Sequence, residues 1–337
     1  MMDVRSHAVM RFAFGVTFAF VVAELAEWTP TFLPPVLVAV LLTNIPIRPP
    51  PKVAMGFIIL VAASSLLAVL LCAALRGAPV ILFAITVLVV FRALYALARG
   101  APMLGPLMLM ICITAIPVVA LQSTYIAGQF AYALARAALV AVLIVWLVYL
   151  FWPKFAPPKA APKAAALPPA FAMRSALLGT AIMAPLMLAY LTFGFAEALP
   201  VLIATVMIVA SLDLNRGRKQ ALGLVIANIA GGIASLALIL MLVLNPSLAT
   251  FTLVMLAGSL IAGWRITRGD PMAALVVVAF NACLIVFSSS IGADSGTFSI
   301  WLTRLTHFLI AGAFAVGMMA LLWPRDAQQT TTLEINK

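Results

Sequence analysis

A succession of apolar runs, broken only by short turns with Pro, Gly or charge, limits this chain more than any other feature. A helix needs about 20 apolar residues to cross the hydrocarbon core of a bilayer, and its backbone must satisfy itself in that medium. Such runs lie near 9–28, 31–47, 53–75, 79–98, 102–121 and 129–152, and again near 173–193, 197–213, 219–244, 247–265, 271–291 and 299–323. No stretch remains for a soluble domain of normal size. Composition agrees, since 66% of residues are hydrophobic and 9% charged, against roughly 45–50% and 25% in globular chains. The expected fold is an all-α polytopic membrane protein with about twelve transmembrane helices. The first run ends in Glu24, Glu27 and Trp28 without a small-x-small cleavage pattern, so it reads as an uncleaved span.

The net charge of +11 would suit nucleic-acid binding if the basic residues were spread over a surface. Lys and Arg are instead retained in short cytoplasmic loops. With the N-terminus inside, seventeen of the twenty basic residues fall on the inner side, and Glu27, Glu197 and Asp294 fall outside. The charge thus reports orientation and not a nucleic-acid partner; both termini are expected in the cytoplasm. Only Arg76, Arg136 and Arg304 escape the rule.

The halves resemble each other. Arg99-Gly100-Ala101-Pro102-Met103 recurs as Arg268-Gly269-Asp270-Pro271-Met272; Lys52, Gly56, Pro79, Arg136 and Trp152-Pro153 match Lys219, Gly223, Pro246, Arg304 and Trp323-Pro324. Six spans per half make the repeats direct, not inverted. The expected organisation is a first repeat over 1–153, a Pro/Ala/Lys linker over 154–170, a second repeat over 171–325 and a tail over 326–337. Prolines gather in the second and fifth spans (Pro34, Pro35, Pro46, Pro102, Pro106, Pro117, with Pro200 and Pro271 in the second half). They predict either ordinary kinks or broken helices along a transport path. Small residues recur every four positions at Gly56, Ser64 and Ala68 and at Gly223, Ala227, Gly231 and Ser235. These faces serve close packing within the bundle, or else a sliding surface or a subunit contact in a homo-oligomer.

Ionisable residues inside a membrane are functional candidates by default because charge there is costly. Arg136 and Arg304 occupy matching places about two turns into the sixth and twelfth spans. A guanidinium facing a cavity can grip a carboxylate through two parallel hydrogen bonds, which makes both candidate ligands of a small anionic substrate. The plainer readings are snorkelling to the headgroups or pairing with Glu24 or Glu27. Glu24 and His307 are the proton-coupling candidates: a carboxylate in apolar surroundings favours its protonated form, and an imidazole titrates near neutrality. Asn228, Asn281, Gln129, Arg92 and Arg265 are weaker candidates.

No catalytic residue, metal site or cofactor is expected. Cys72, Cys112 and Cys283 have no partner at metal-ligand spacing, no phosphate-binding Gly-Lys loop occurs, and two histidines make no zinc motif. No cluster of polar residues at one face is expected, so the chain is expected not to be an enzyme.

The basic residue opening the first span (Arg11-Phe12-Ala13), the Pro-led second span (Leu33-Pro34-Pro35-Val36-Leu37-Val38-Ala39-Val40) and a sixth span with an early Arg and a Trp-Pro end resemble the bacterial fusaric acid resistance and aromatic acid exporter superfamily, in its short branch without the large cytoplasmic region. The resemblance implies an inner-membrane efflux transporter for small, aromatic or amphipathic carboxylic acids or drugs, with a periplasmic membrane-fusion adaptor as partner. Two other readings stand beside it. A major facilitator transporter shares the direct six-span repeats, although Asp213-Leu214-Asn215-Arg216-Gly217-Arg218-Lys219 matches its loop only in part. A non-transporting membrane subunit that scaffolds an adaptor complex is the third.

Overall fold

The computed structural model describes residues 3–45, 47–155, 166–193, 199–211, 214–269, 272–291 and 296–322. Most of the 154–170 linker, the 326–337 tail, and Pro46, Glu197, Asp213, Pro271 and Asp294 lie outside the described residues. Among the described residues there are twelve helices and no strand: α1 Val4–Leu25, α2 Leu33–Asn44, α3 Pro51–Ala74, α4 Pro79–Ala98, α5 Leu104–Gln122, α6 Thr124–Phe151, α7 Pro169–Phe193, α8 Leu199–Val209, α9 Leu214–Leu244, α10 Leu248–Ile266, α11 Ala273–Ser290 and α12 Thr297–Leu322. Ten are long and apolar enough to cross a membrane; α2 and α8 are shorter apolar helices. The chain is an all-α, multi-pass membrane protein.

Local chemistry sets the ends. Prolines stand in the first turns of α2, α3 and α4, where a missing N–H costs no intrahelical bond. Ser123 and Ser247 cap α6 and α10 by accepting from Tyr125 N and Thr250 N, both at 3.2 Å. Buried hydroxyls such as Thr86, Thr114, Thr180 and Thr205 bond the carbonyl four residues back in their own helix, which satisfies them where water is absent.

The short α2 does not leave its strand of chain half-crossed. At 12 residues it spans only about 18 Å, and Ile45 and Ile47 to Pro50 after it are non-helical. Its exposed carbonyls are met from α6: Tyr149 donates to Ile45 O at 3.3 Å and Trp146 Nε1 to Pro49 O at 3.1 Å. Trp28, before α2, lies against Arg136 of α6. Trp28, α2 and Ile45 therefore follow α6 in the same direction, from Arg136 to Tyr149, with Pro49 beside Trp146.

Within each half the same pairs form: α1 and α2 against α6, α3 against α5 and α6, and α4 against α5; then α7 and α8 against α12, α9 against α11 and α12, and α10 against α11. Between halves α1 runs along α10 and α7 along α4, while α2 meets α11 and α8 meets α5. The two apolar cores consequently cross the sequence halves. One is built from α1, α2, α3, α6, α10 and α11, with Phe20 edge-on to Phe251 and Phe287 at ring distances of 5.2 and 5.9 Å. The other is built mainly from α4, α5, α7, α8, α9 and α12 around Leu94, Ile113, Met183, Leu202 and Met319, with Ala68 of α3 and Ala127 and Ala131 of α6.

Arg11 does not open a span. The helix begins seven residues earlier at Val4, and Arg11 is buried at 5% exposure. Its Nη1 donates to Trp152 O and Lys154 O, both at 2.6 Å, and its guanidinium lies 4.4 Å over Tyr149. A cation thus closes the C-terminus of α6, where unpaired carbonyls and the helix dipole favour one. Arg11→Met, which keeps length but loses charge and donors, should cost about 3 kcal/mol, the scale of charge-assisted bonds at a buried site. Thermal unfolding in detergent checks this, with a melting temperature equal to wild type as the contrary result.

Candidate functional site

Two adjoining clefts lie at the end of the bundle opposite the basic loops. The first, of about 320 Å³, is lined by Pro200 of α8, Ser289 of α11, and Ser299, Ile300, Thr303, Arg304 and His307 of α12. The second, of about 260 Å³, is lined by Glu24 of α1, Thr29 to Phe32, and Ser288, Ser289 and Ile291. Ser289 belongs to both. The clefts thus straddle the junction of the two cores, since α1 and α11 come from one and α8 and α12 from the other.

Helical spacing explains how α12 presents its polar residues. Ser299, Thr303 and His307 are four apart, and Ile300 and Arg304 form the adjacent row, so all five share one flank. On α11 the last turn is Ser288-Ser289-Ser290. Ser289 and Ser290 bond carbonyls four residues back, while Ser288 exchanges a hydrogen bond with Thr31. That bond ties the loop after α1 to α11 across the halves. Glu24 holds Oε1 buried without a hydrogen-bond partner, an acceptor that an arriving proton or hydroxyl donor satisfies.

Three of the four predicted residues come together here: Arg304, His307 and Glu24. Arg136 does not line either cleft. It stands 4.4 Å from the Trp28 ring centre and 5.3 Å from that of Tyr132, a cation–π seat. The matched arginines therefore have unlike surroundings. At their offset of 168 residues, Ser289, Ser299, Ile300, Thr303 and His307 correspond to Leu121, Ala131, Tyr132, Ala135 and Leu139. The first half keeps the arginine and lacks the hydroxyls and the imidazole around it.

Sequence reasoning missed the serines and threonines. Their signal was twofold, the four-residue spacing of Ser299, Thr303 and His307 beside Arg304 and the Ser288-Ser289-Ser290 run ending an otherwise apolar span; together they form a polar cluster where none was expected. Among the weaker candidates, Gln129, Arg92 and Arg265 are exposed on the outside of the bundle. Asn228 is buried and donates to Leu224 O at 2.8 Å, and Asn281 Oδ1 is buried without a partner away from both clefts.

Residues 8–148 are similar to a family described as a protein of unknown function, DUF2955. The matched stretch runs from α1 through most of α6, so it holds Glu24 and Arg136 and leaves out Arg304 and His307. No curated protein and no solved structure matches the chain.

Proposed function

We propose that this chain is a transporter of small carboxylates, with Arg304 as the anion ligand and with Glu24 and His307 as the proton-handling groups. What carries the reading is the convergence of one guanidinium, one imidazole and one carboxylate on clefts that share Ser289 at the junction of the two cores. Charged and titratable groups facing a polar cleft between helices mark substrate and proton paths in membrane proteins. The Thr31–Ser288 bond and the Arg136–Trp28 stack hold the loop between α1 and α2 in the wall of the Glu24 cleft. Access alternates as the two mixed cores move against each other.

The exporter resemblance supplies the finer reading. The substrates are aromatic or amphipathic carboxylic acids or drugs, movement is outward across the bacterial inner membrane, and a periplasmic membrane-fusion adaptor continues the path; proton drive rests instead on Glu24 and His307, and cytoplasmic termini on the distribution of basic residues. Purified protein in liposomes loaded with labelled benzoate tests the core of this. Benzoate flux should rise several-fold over protein-free liposomes and respond to an imposed pH gradient, and Glu24→Gln should retain benzoate exchange while losing that response. Flux equal to protein-free liposomes for benzoate, salicylate and octanoate alike would overturn the transport reading.

A further inference from the structure

At the opposite, basic end of the bundle three arginines gather around one tryptophan. Trp264 lies in the last turn of α10 and is 44% exposed. Arg268 stands 3.9 Å over its ring, Arg265 5.8 Å, and Arg5, from the first turn of α1, donates through Nη2 to Trp264 O at 3.4 Å. All three arginines are exposed. Asp3, two residues from Arg5, turns its Oδ1 onto Val4 N at 2.7 Å.

Two of these charges lie over the ring and the third on the carbonyl of the same residue, and like charges sharing one corner repel one another unless an anion sits among them. The repeat shows what happens when that corner is covered instead. Tyr95 and Arg99 of α4 correspond to Trp264 and Arg268 at an offset of 169, and Ala96 stands where Arg265 does. There Arg99 donates to Leu167 O at 2.9 Å, and Leu167 N bonds Ala98 O, so the chain leading into α7 folds over the corner. At the α1–α10 corner α1 begins with Arg5 in place of that covering segment, and the extra arginine is added.

We propose that the Arg5–Trp264–Arg265–Arg268 corner is a binding site for the phosphate of an anionic phospholipid headgroup. A tryptophan in the last turn of a membrane-spanning helix belongs at headgroup level, as amphipathic rings do, and basic pockets between helices at a membrane surface take anionic headgroups. The assignment commits to lipid over a soluble anion because the corner stands where two paired membrane helices, α1 and α10, end together, and it includes a half-exposed tryptophan. It is independent of the transport reading, since the corner lies at the other end of the bundle from both clefts.

Native mass spectrometry of the detergent-solubilised protein, titrated with phosphatidylglycerol or phosphatidylcholine, measures it. Wild type should retain phosphatidylglycerol saturably and in preference to phosphatidylcholine. Each Arg→Gln should weaken retention about fivefold, and R5Q/R265Q/R268Q together on the order of 100-fold. Arg→Lys at the same three positions should restore most of it, which shows that the charge and not the fold is responsible. Unchanged phosphatidylglycerol retention in the triple variant, or displacement of the lipid by millimolar inorganic phosphate, would overturn the proposal.

Discussion

Gly231→Leu should leave no folded protein in the membrane. A Cβ built on Gly231 lies 2.2 Å from Ala279 O and 2.9 Å from both Ala282 Cβ and Cys283 N. Two of those three atoms are α11 backbone, so no rotamer change relieves the contact; α9 and α11 must part. Between helices in lipid, close van der Waals packing replaces the hydrophobic drive available in water, and parting the most extensively paired helices of the second half removes it along their length. Alanine at 231 should already cost several kcal/mol, beyond the roughly 1–3 kcal/mol of ordinary overpacking. Gly56→Ala is the control, because nothing lies within 4 Å of a Cβ there; helix propensity alone should make it neutral or stabilising by up to about 1 kcal/mol. Yield of monodisperse protein and melting temperature report both. A folded Gly231→Leu with wild-type stability would show that the α9–α11 crossing is not where the bundle is held.

That contrast shows what the sequence carried and what it did not. Gly56, Gly223 and Gly231 all belong to a four-residue rhythm of small side chains, and the rhythm predicts a close-packed face without saying what meets it. In the structure Gly231 touches α11 inside the same chain, Gly223 has Leu275 at 3.8 Å, and Gly56 has no neighbour. Apolar runs, by contrast, translate directly into helices because backbone in hydrocarbon has few alternatives. The ends of α1 and α2 moved, since Asp3 caps α1 earlier than the apolar run begins and α6 side chains satisfy the carbonyls that let α2 stop short. Arg11 was legible as a basic residue but not as a cap on α6, which lies 141 residues away. The cross-half cores were equally hidden, because periodicity within a helix does not name the helix it faces.

The two matched arginines should separate functionally. Arg304→Gln removes the charge from the cleft that also holds Ser289, Ser299, Thr303 and His307, and loss of a charge-assisted, two-pronged grip is worth about 1.5–3 kcal/mol. On the transport reading, the KM for benzoate should rise roughly 10- to 100-fold, while the neutral benzamide, which never used the charge, should bind Arg304→Gln and wild type alike. Arg136→Gln should leave the preference of benzoate over benzamide intact. Its cost falls on the Trp28 and Tyr132 stack, which at a partly buried site is worth about 1–2 kcal/mol, and therefore on stability and on the maximal rate through the loop over the Glu24 cleft. Trp28→Leu should reproduce the Arg136→Gln phenotype, and combining the two should add little, because each removes the same contact. If Arg304→Gln keeps the full preference for carboxylate over amide, or Arg136→Gln is the variant that loses it, the anion is held elsewhere. The polar lining that distinguishes the second half from the first, hydroxyls and imidazole in place of Leu121, Ala131, Ala135 and Leu139, would then have no part in recognition.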